Sequence, residues 1–360
     1  MLRGEATRSR RLAGLLLAAG VGAAAGILVW LGNPANMGIC GACFLRDVAG
    51  ALGLQAKGPA IFRPEIAGVV LGAFGWSLAS RRGGSRSGGY AGMRFLLCLF
   101  MSLGALVFLG CPFRMLQRLG GGDPTAWAAL PGFLAGVGAG MWIERRGKTI
   151  GTTQPAPWIV GLAAPLAVLG LLALFLAGVL VGPGPGDVGP PAHANWLIAL
   201  GIALAVGVAL SATGFCAVSA ARQVFRGPRW MLGGAAALVA GYALVVLLTG
   251  KPAFGSPAIA HSDWLWNVLG LGLAGLTGAL AGGCPVRQIV MAGEGNADAF
   301  CGCAGLVAGG ALAHTLGPVS IVATATDPGG ATLAGKVAVG VGITFALVYG
   351  LVVTRAPASR

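Results

Sequence analysis

The chain has 360 residues, of which 56% are hydrophobic and only 9% charged, and it carries a net charge of +14 and a mean hydropathy of +0.83. Soluble domains carry about a quarter charged residues, so a water-soluble globular fold is excluded. A nucleic-acid-binding surface is excluded too: Lys and Arg sit in short loops between apolar runs, with no basic stripe interleaved by aromatics.

Runs of about 18 or more apolar residues read as membrane spans. In chain order they fall at 12–31, 63–80, 93–110, 125–143, 157–182, 195–213, 230–249, 264–283, 298–316 and 333–353. The basic start, with Arg3, Arg8, Arg10 and Arg11 ahead of an apolar run, resembles a signal peptide, but the run is too long and shows no small-x-small cleavage pattern. It reads as a retained first span. Four remaining segments are too apolar for ordinary loops and too short to cross: 33–54, 111–121, 214–225 and 284–295. These are expected to be re-entrant helices, which membrane-depth backbone permits only around a shielded or water-lined cavity.

Charge gives the expected sidedness. The basic N-terminus, Arg81, Arg82, Arg86 and Arg94, then Arg145, Arg146 and Lys148, then Arg222, Arg226 and Arg229, and finally Arg355 and Arg360 all fall on one side. The positive-inside bias makes that side cytoplasmic, with both termini there. The loop 182–194 has neither Lys nor Arg and falls outside.

Two motifs occur twice. Gly38-Ile39-Cys40-Gly41-Ala42-Cys43 with Arg46 matches Gly214-Phe215-Cys216-Ala217-Val218-Ser219 with Arg222, and Gly-Cys-Pro-x-Arg recurs about 70 residues later in each half, at Cys111 and Cys284. Repetition in order and at matched spacing predicts a first repeat over 1–150, a connecting span and exterior loop over 151–194, a second repeat over 195–317 and an extra C-terminal span over 318–360. The single connecting span turns the second repeat upside down, the inverted-repeat pattern of many secondary transporters. The expected fold is an all-α polytopic membrane protein of about ten spans. Its four short helices meet near the midplane.

That packing would bring Cys40, Cys111, Cys216 and Cys284 together. Thiols are polarizable and bond weakly, which suits a soft solute such as a sulfur or selenium species, while helix N-termini attract anions. Arg114 and Arg287, three residues after their cysteines, either attract an anion or pair with a carboxylate. Cys43 makes a C-x-x-C with Cys40, a redox or metal spacing, but Ser219 replaces it in the other copy. Cys98 reads as packing, and Cys301 and Cys303 as candidates for an inner vestibule. His193 reads as a solvated exterior-loop residue, His261 as interfacial beside its tryptophans, and His314 as the end of the ninth span. Arg46 and Asp47 are expected to pair with different neighbours, and Glu294, Asn296 and Asp298 to cap helices. Gly147-Lys148-Thr149 matches the end of a phosphate-binding loop, but Trp142 stands where the earlier glycine is needed. No metal or cofactor site is expected.

At GNPANMGICGACFLRDVAGALGL, LVFLGCPFRMLQRLGGGD, AHSDWLWN and GGCPVRQIVMAGEGNADA the chain resembles the YeeE/YedE sulphur-transport family, and within it the YedE-type selenium-transporter branch. The resemblance implies an inner-membrane permease, not an enzyme, with an hourglass-shaped, pseudo-symmetric fold. Relatives take up thiosulfate and pass it along axial cysteines through S–H···S hydrogen bonds, which points here to Cys40, Cys111, Cys216 and Cys284. Cys43 and the tenth span depart from that pattern. The implied partners are a small inorganic sulfur or selenium anion, the lipid bilayer and a soluble sulfur- or selenium-handling protein. Two rival readings are a membrane thiol–disulfide oxidoreductase, which needs a reactive pair in each unit, and a soft-metal carrier, which thiolates favour.

Overall fold

A computed structural model describes residues 2–81, 83–88, 90–146, 153–182, 193–250 and 259–352, with side chains from residue 11 onward. Arg82, Lys148, Arg355, Arg360, most of the 182–194 loop and the side chains of Arg3, Arg8 and Arg10 lie outside the described residues.

The helices are α1 (Leu2–Trp30), α2 (Gly41–Ala51), α3 (Pro64–Ala79), α4 (Ala91–Val107), α5 (Pro112–Gly120), α6 (Pro124–Arg145), α7 (Trp158–Gly161) and α8 (Ala163–Leu176). After them come α9 (Trp196–Thr213), α10 (Ala217–Phe225), α11 (Trp230–Leu248), α12 (Trp264–Leu280), α13 (Pro285–Gly293), α14 (Ala297–Leu316) and α15 (Leu333–Val352). Among the described residues, sheet is limited to two-residue pairs, β1 (Arg86–Ser87) with β2 (Gln154–Pro155) and β3 (Ser320–Ile321) with β4 (Gly330–Ala331), both antiparallel. Eight helical stretches among the described residues are long and apolar enough to cross a membrane, and α3 and α8 are shorter apolar helices. This is the build of an all-α polytopic membrane protein.

The expected span at 157–182 is not one continuous helix: Leu162 separates α7 from α8. The 14 residues of α8 give about 21 Å of helix, short of the ~30 Å apolar core of a bilayer. The segment nonetheless runs the length of α3. Ser85, past one end of α3, bonds the Pro157 carbonyl, and Phe62 at the other end donates to the Val181 carbonyl at 2.8 Å.

Helix packing is close and pairwise. α1 packs on α11 and α9 on α3; α4 packs on α14 and α12 on α6. The short helices follow the same rule: α5 rests on α11 and α13 on α3, while α2 rests on α14 and α10 on α6. Exchanging α1–α6 for α9–α14 in order turns each of these contacts into another of them. Glycines four residues apart let the backbones approach, as is common where lipid supplies no hydrophobic drive. A Cβ at Gly72, Gly136 or Gly305 would overlap the carbonyl oxygen of Leu204, Gly272 or Phe95 on the partner helix, and the neighbours Gly68, Gly132 and Gly309 are similarly crowded.

Hydrogen bonds sort the helix ends into two groups. One joins Ser77, Ser87, Glu144, Ser211, Arg222, Glu294 and Asp298. Exposed Arg81, Arg86, Arg145, Arg146, Arg226 and Arg229 cluster with it. The other joins Asn33 to Ala194, Ala56 to Thr315, and His261 and Ser320 to the Val107 carbonyl. The first is called the arginine-rich end below.

Candidate functional site: four cysteine-capped helices around buried thiols

The four short helices α2, α5, α10 and α13 are 9 to 11 residues long, about 14–17 Å at the usual rise. Each begins directly after a cysteine. Cys40, Cys111, Cys216 and Cys284 are their N-caps, all in extended backbone conformation. Pro112 and Pro285 follow as first helical residues, a position where proline's fixed φ and missing N–H suit a helix start. The Cys-Pro pair is therefore a local start signal.

The helix starts converge. Cys40 Sγ lies 3.6 Å from Cys111 Sγ and accepts from the Cys43 N–H at 3.4 Å. The Cys284 N–H donates to Cys216 Sγ, also at 3.4 Å. Between the pairs, Gly41 abuts Pro285: a Cβ on Gly41 would lie 2.8 Å from Pro285 Cβ and 2.8 Å from the Val286 nitrogen. Phe113 and Phe215 meet edge to face at 6.2 Å on the same axis. All four thiols are buried, and all eight cysteines of the chain are free.

Cavities open on either side of this cluster. The one away from the arginine-rich end has a volume of about 320 Å³ and is lined by Cys43, Arg46, Arg63, Arg114, His314 and Ser320, among others. Its charge is one-sided. Arg46 and Arg63 share the single carboxylate of Asp47, at 2.5 and 2.6 Å. Arg63 Nη1 and His314 Nε2 have no hydrogen-bond partner among the described residues. Arg114 is fully buried, and none of the ion pairs among the described residues includes it. It donates instead to the carbonyls of Asn36 (2.9 Å), Leu109 and Ile259 (3.4 Å). Those three residues have φ of 54°, 58° and 51°. Left-handed backbone at a non-glycine residue costs roughly 1–2 kcal/mol, so the fold strains three backbones to aim carbonyls at one guanidinium. In the other copy Gly282 occupies the position of Leu109, and as a glycine it adopts its φ of 82° without strain.

The second cavity, also about 320 Å³, opens at the arginine-rich end and is lined by Ser77, Arg86, Ser211, Arg287, Glu294 and Asn296, among others. Here Arg287 does have a carboxylate: it bonds Glu294 through both oxygens, at 3.0 and 3.1 Å, and Ser211 donates to Glu294 at 2.9 Å. The two repeat-related arginines thus stand in different states, Arg114 held by carbonyls and Arg287 neutralised. No family model matches the sequence, and no curated protein matches it either.

Several sequence expectations need correction. His193 is buried, with Nε2 2.9 Å from Glu65, the second residue of α3. His261 is buried rather than interfacial; its Nε2 reaches the Val107 carbonyl at 2.7 Å, and Nδ1 accepts the Asp263 N–H at 3.2 Å. That pattern needs a neutral ring, and burial lowers the histidine's proton affinity further. Arg46 pairs with its sequence neighbour Asp47, while Asp47 also takes a different neighbour, Arg63, as expected. Cys303 lines an apolar cavity beside Leu45, Val168 and Ile289 rather than the one at the arginine-rich end, and Cys301 lines neither. Asn296 does cap α14, accepting from Ala299 at 3.0 Å, while Glu294 is committed to Arg287 and Asp298 accepts from Ser87 and Gly88. Sequence reasoning missed Arg63 and Glu65 as site residues. Their signal was a charged Arg-Pro-Glu at the start of a span, where ionisable groups mark function by default. Among the described residues no group of three or more His, Cys, Asp or Glu is placed to hold a metal ion.

Proposed function

We propose that the chain is a permease of the YeeE/YedE type for a small sulfur- or selenium-containing anion, and that its two halves form an inverted repeat with four re-entrant helices meeting near the membrane midplane. The observation that carries this reading is the convergence of four cysteine-capped helix starts on a buried sulfur cluster. The paired contacts of α1–α6 with α9–α14 support the repeat. Half-length helices from either face, meeting at their N-termini, give the hourglass outline.

In this reading the arginine-rich end is cytoplasmic, by the positive-inside bias, and the protein sits in the inner membrane. An anion enters from outside into the cavity of Arg46, Arg63, Arg114 and His314. Cations there offset the loss of hydration, and a helix N-terminus adds backbone N–H groups and a positive dipole end. Cys43, Cys40, Cys111, Cys284 and Cys216 then offer successive weak S–H contacts. Weak contacts at several sites favour passage, because each step must release what it binds. Arg287 and Glu294 lie at the inner exit, and no energy-consuming motif is part of the route.

The place of Cys40 Sγ between Cys111 Sγ and the Cys43 N–H also favours a second reading, a thiol–disulfide oxidoreductase. The soft-metal reading is weaker, since three guanidiniums line the outer approach. Uptake of labelled thiosulfate and selenite into proteoliposomes separates them. Wild type should take up at least one anion, and Cys111→Ala and Cys284→Ala should each reduce that uptake by tenfold or more. Full uptake in both variants rejects the thiol route, and dithiol oxidation without uptake favours the redox enzyme.

A further inference from the structure

Glu65 and His193 form a buried pair that the anion route does not use. Glu65 is the second residue of α3 and His193 lies just ahead of α9; both side chains are enclosed. His193 Nδ1 stands 2.6 Å from the Ala194 carbonyl, which only accepts, so Nδ1 carries a hydrogen. Nε2 stands 2.9 Å from Glu65 Oε1. His193 Nε2 makes no hydrogen bond among the described residues, so this close approach holds no proton in place and leaves the pair open to take one up. Asn33 fixes the frame: its Oδ1 accepts the Ala194 N–H at 3.1 Å, which orients Nδ2 toward Glu65 Oε1 at 2.6 Å and the Gly38 carbonyl at 3.2 Å.

The pair reaches the thiols. Glu65 Oε2 is buried and has no partner among the described residues. Glu65 lines a small cavity together with Cys40 and Gly41 at the start of α2. Asn33 also holds Gly38, two residues before Cys40. An anion at Cys40 would therefore sit beside a carboxylate in a site closed to water, where like charges repel strongly. Such repulsion raises the carboxylate's affinity for a proton, and the coupling is reciprocal. The charged groups around the pair are Arg63 at the start of α3, Asp47 and Arg46 on α2, and Arg114 beyond Cys40. Arg63 opposes protonation, but its Nε and Nη2 are already held by Asp47 at 2.6 Å.

We propose that Glu65 and His193 are a proton-binding site linked to anion occupancy at Cys40, so that an anion arriving at the thiols brings one proton onto the pair. This rests on the permease reading and adds its proton coupling. It makes anion binding tighter as pH falls, by up to about tenfold per pH unit where one proton is linked.

Titration calorimetry of thiosulfate binding to the full chain in detergent, at one pH in buffers of different ionisation enthalpy, counts the protons taken up. Wild type should take up close to one proton per thiosulfate, and Glu65→Gln, which keeps an acceptor for Asn33, close to none. Anion binding with no proton uptake by wild type overturns the linkage and leaves the permease standing. Uptake of a proton that persists in Glu65→Gln also overturns it, since the proton then lies elsewhere. If Glu65→Gln does not fold, His193→Gln takes its place, with the same loss expected. Failure of wild type to bind or transport either thiosulfate or selenite overturns both proposals.

Discussion

Replacing Gly41 by alanine changes no chemical group of the sulfur cluster, yet it acts at the point where the two halves touch. The new Cβ would lie 2.8 Å from Pro285 Cβ, 2.8 Å from the Val286 nitrogen and 2.9 Å from the Pro285 carbonyl carbon. These atoms belong to a backbone and a rigid ring, so relief requires α2 and α13 to move apart. Overpacking of this kind costs about 1–3 kcal/mol. Gly75, on an exposed face of α3, is the control: a Cβ there meets nothing within 4 Å, and Gly→Ala inside a helix gains about 0.5–1 kcal/mol. The two variants should therefore differ by roughly 1.5–4 kcal/mol in opposite directions from wild type. Thermal unfolding of the purified chain in one detergent measures the order, and thiosulfate uptake measures the consequence. Gly41→Ala should melt below wild type and lose most of its uptake, while Gly75→Ala should melt at or above wild type with uptake intact. Equal melting of the two variants would refute the claim that the helix starts of α2 and α13 are in hard contact.

In a Cys43→Ser background, mild oxidation should join Cys40 to Cys111, given their 3.6 Å separation; peptide mapping that finds no such bridge would contradict the cluster. Glu294→Gln leaves Arg287 without its counter-charge at a partly exposed site, so stability should change by no more than ~1 kcal/mol. Efflux of thiosulfate from loaded vesicles should change several-fold all the same, and unaltered efflux would remove Arg287 from the route. Burial depresses the proton affinity of His261, so the unfolded chain binds more protons just below the ordinary histidine range and stability falls as pH drops through about 6.5. His261→Gln should flatten that part of the pH–stability curve, and a slope unchanged in the variant would assign it to another group.

The helices and their order were legible in the sequence because each rests on a local signal. Apolar runs long enough to cross, Cys-Pro at a helix start and a motif repeated at fixed spacing are all written within short stretches of chain. They placed the nine-residue helices after Cys111 and Cys284, and those after Cys40 and Cys216, where the structure has them. The one element misjudged, 157–182, is an apolar run whose helix breaks at Leu162, because Pro165 has no N–H to give the Gly161 carbonyl and its ring crowds that carbonyl. What only the tertiary structure decided is who meets whom across the chain. Glu65 finds His193 and Arg63 finds Asp47, while Arg114 reaches Ile259 145 residues away. A buried charge takes whichever partner the packing brings within about 4 Å, and packing is a property of the whole bundle. For the same reason two arginines in matching motifs, Arg114 and Arg287, end in unlike surroundings, one among carbonyls and one on a carboxylate.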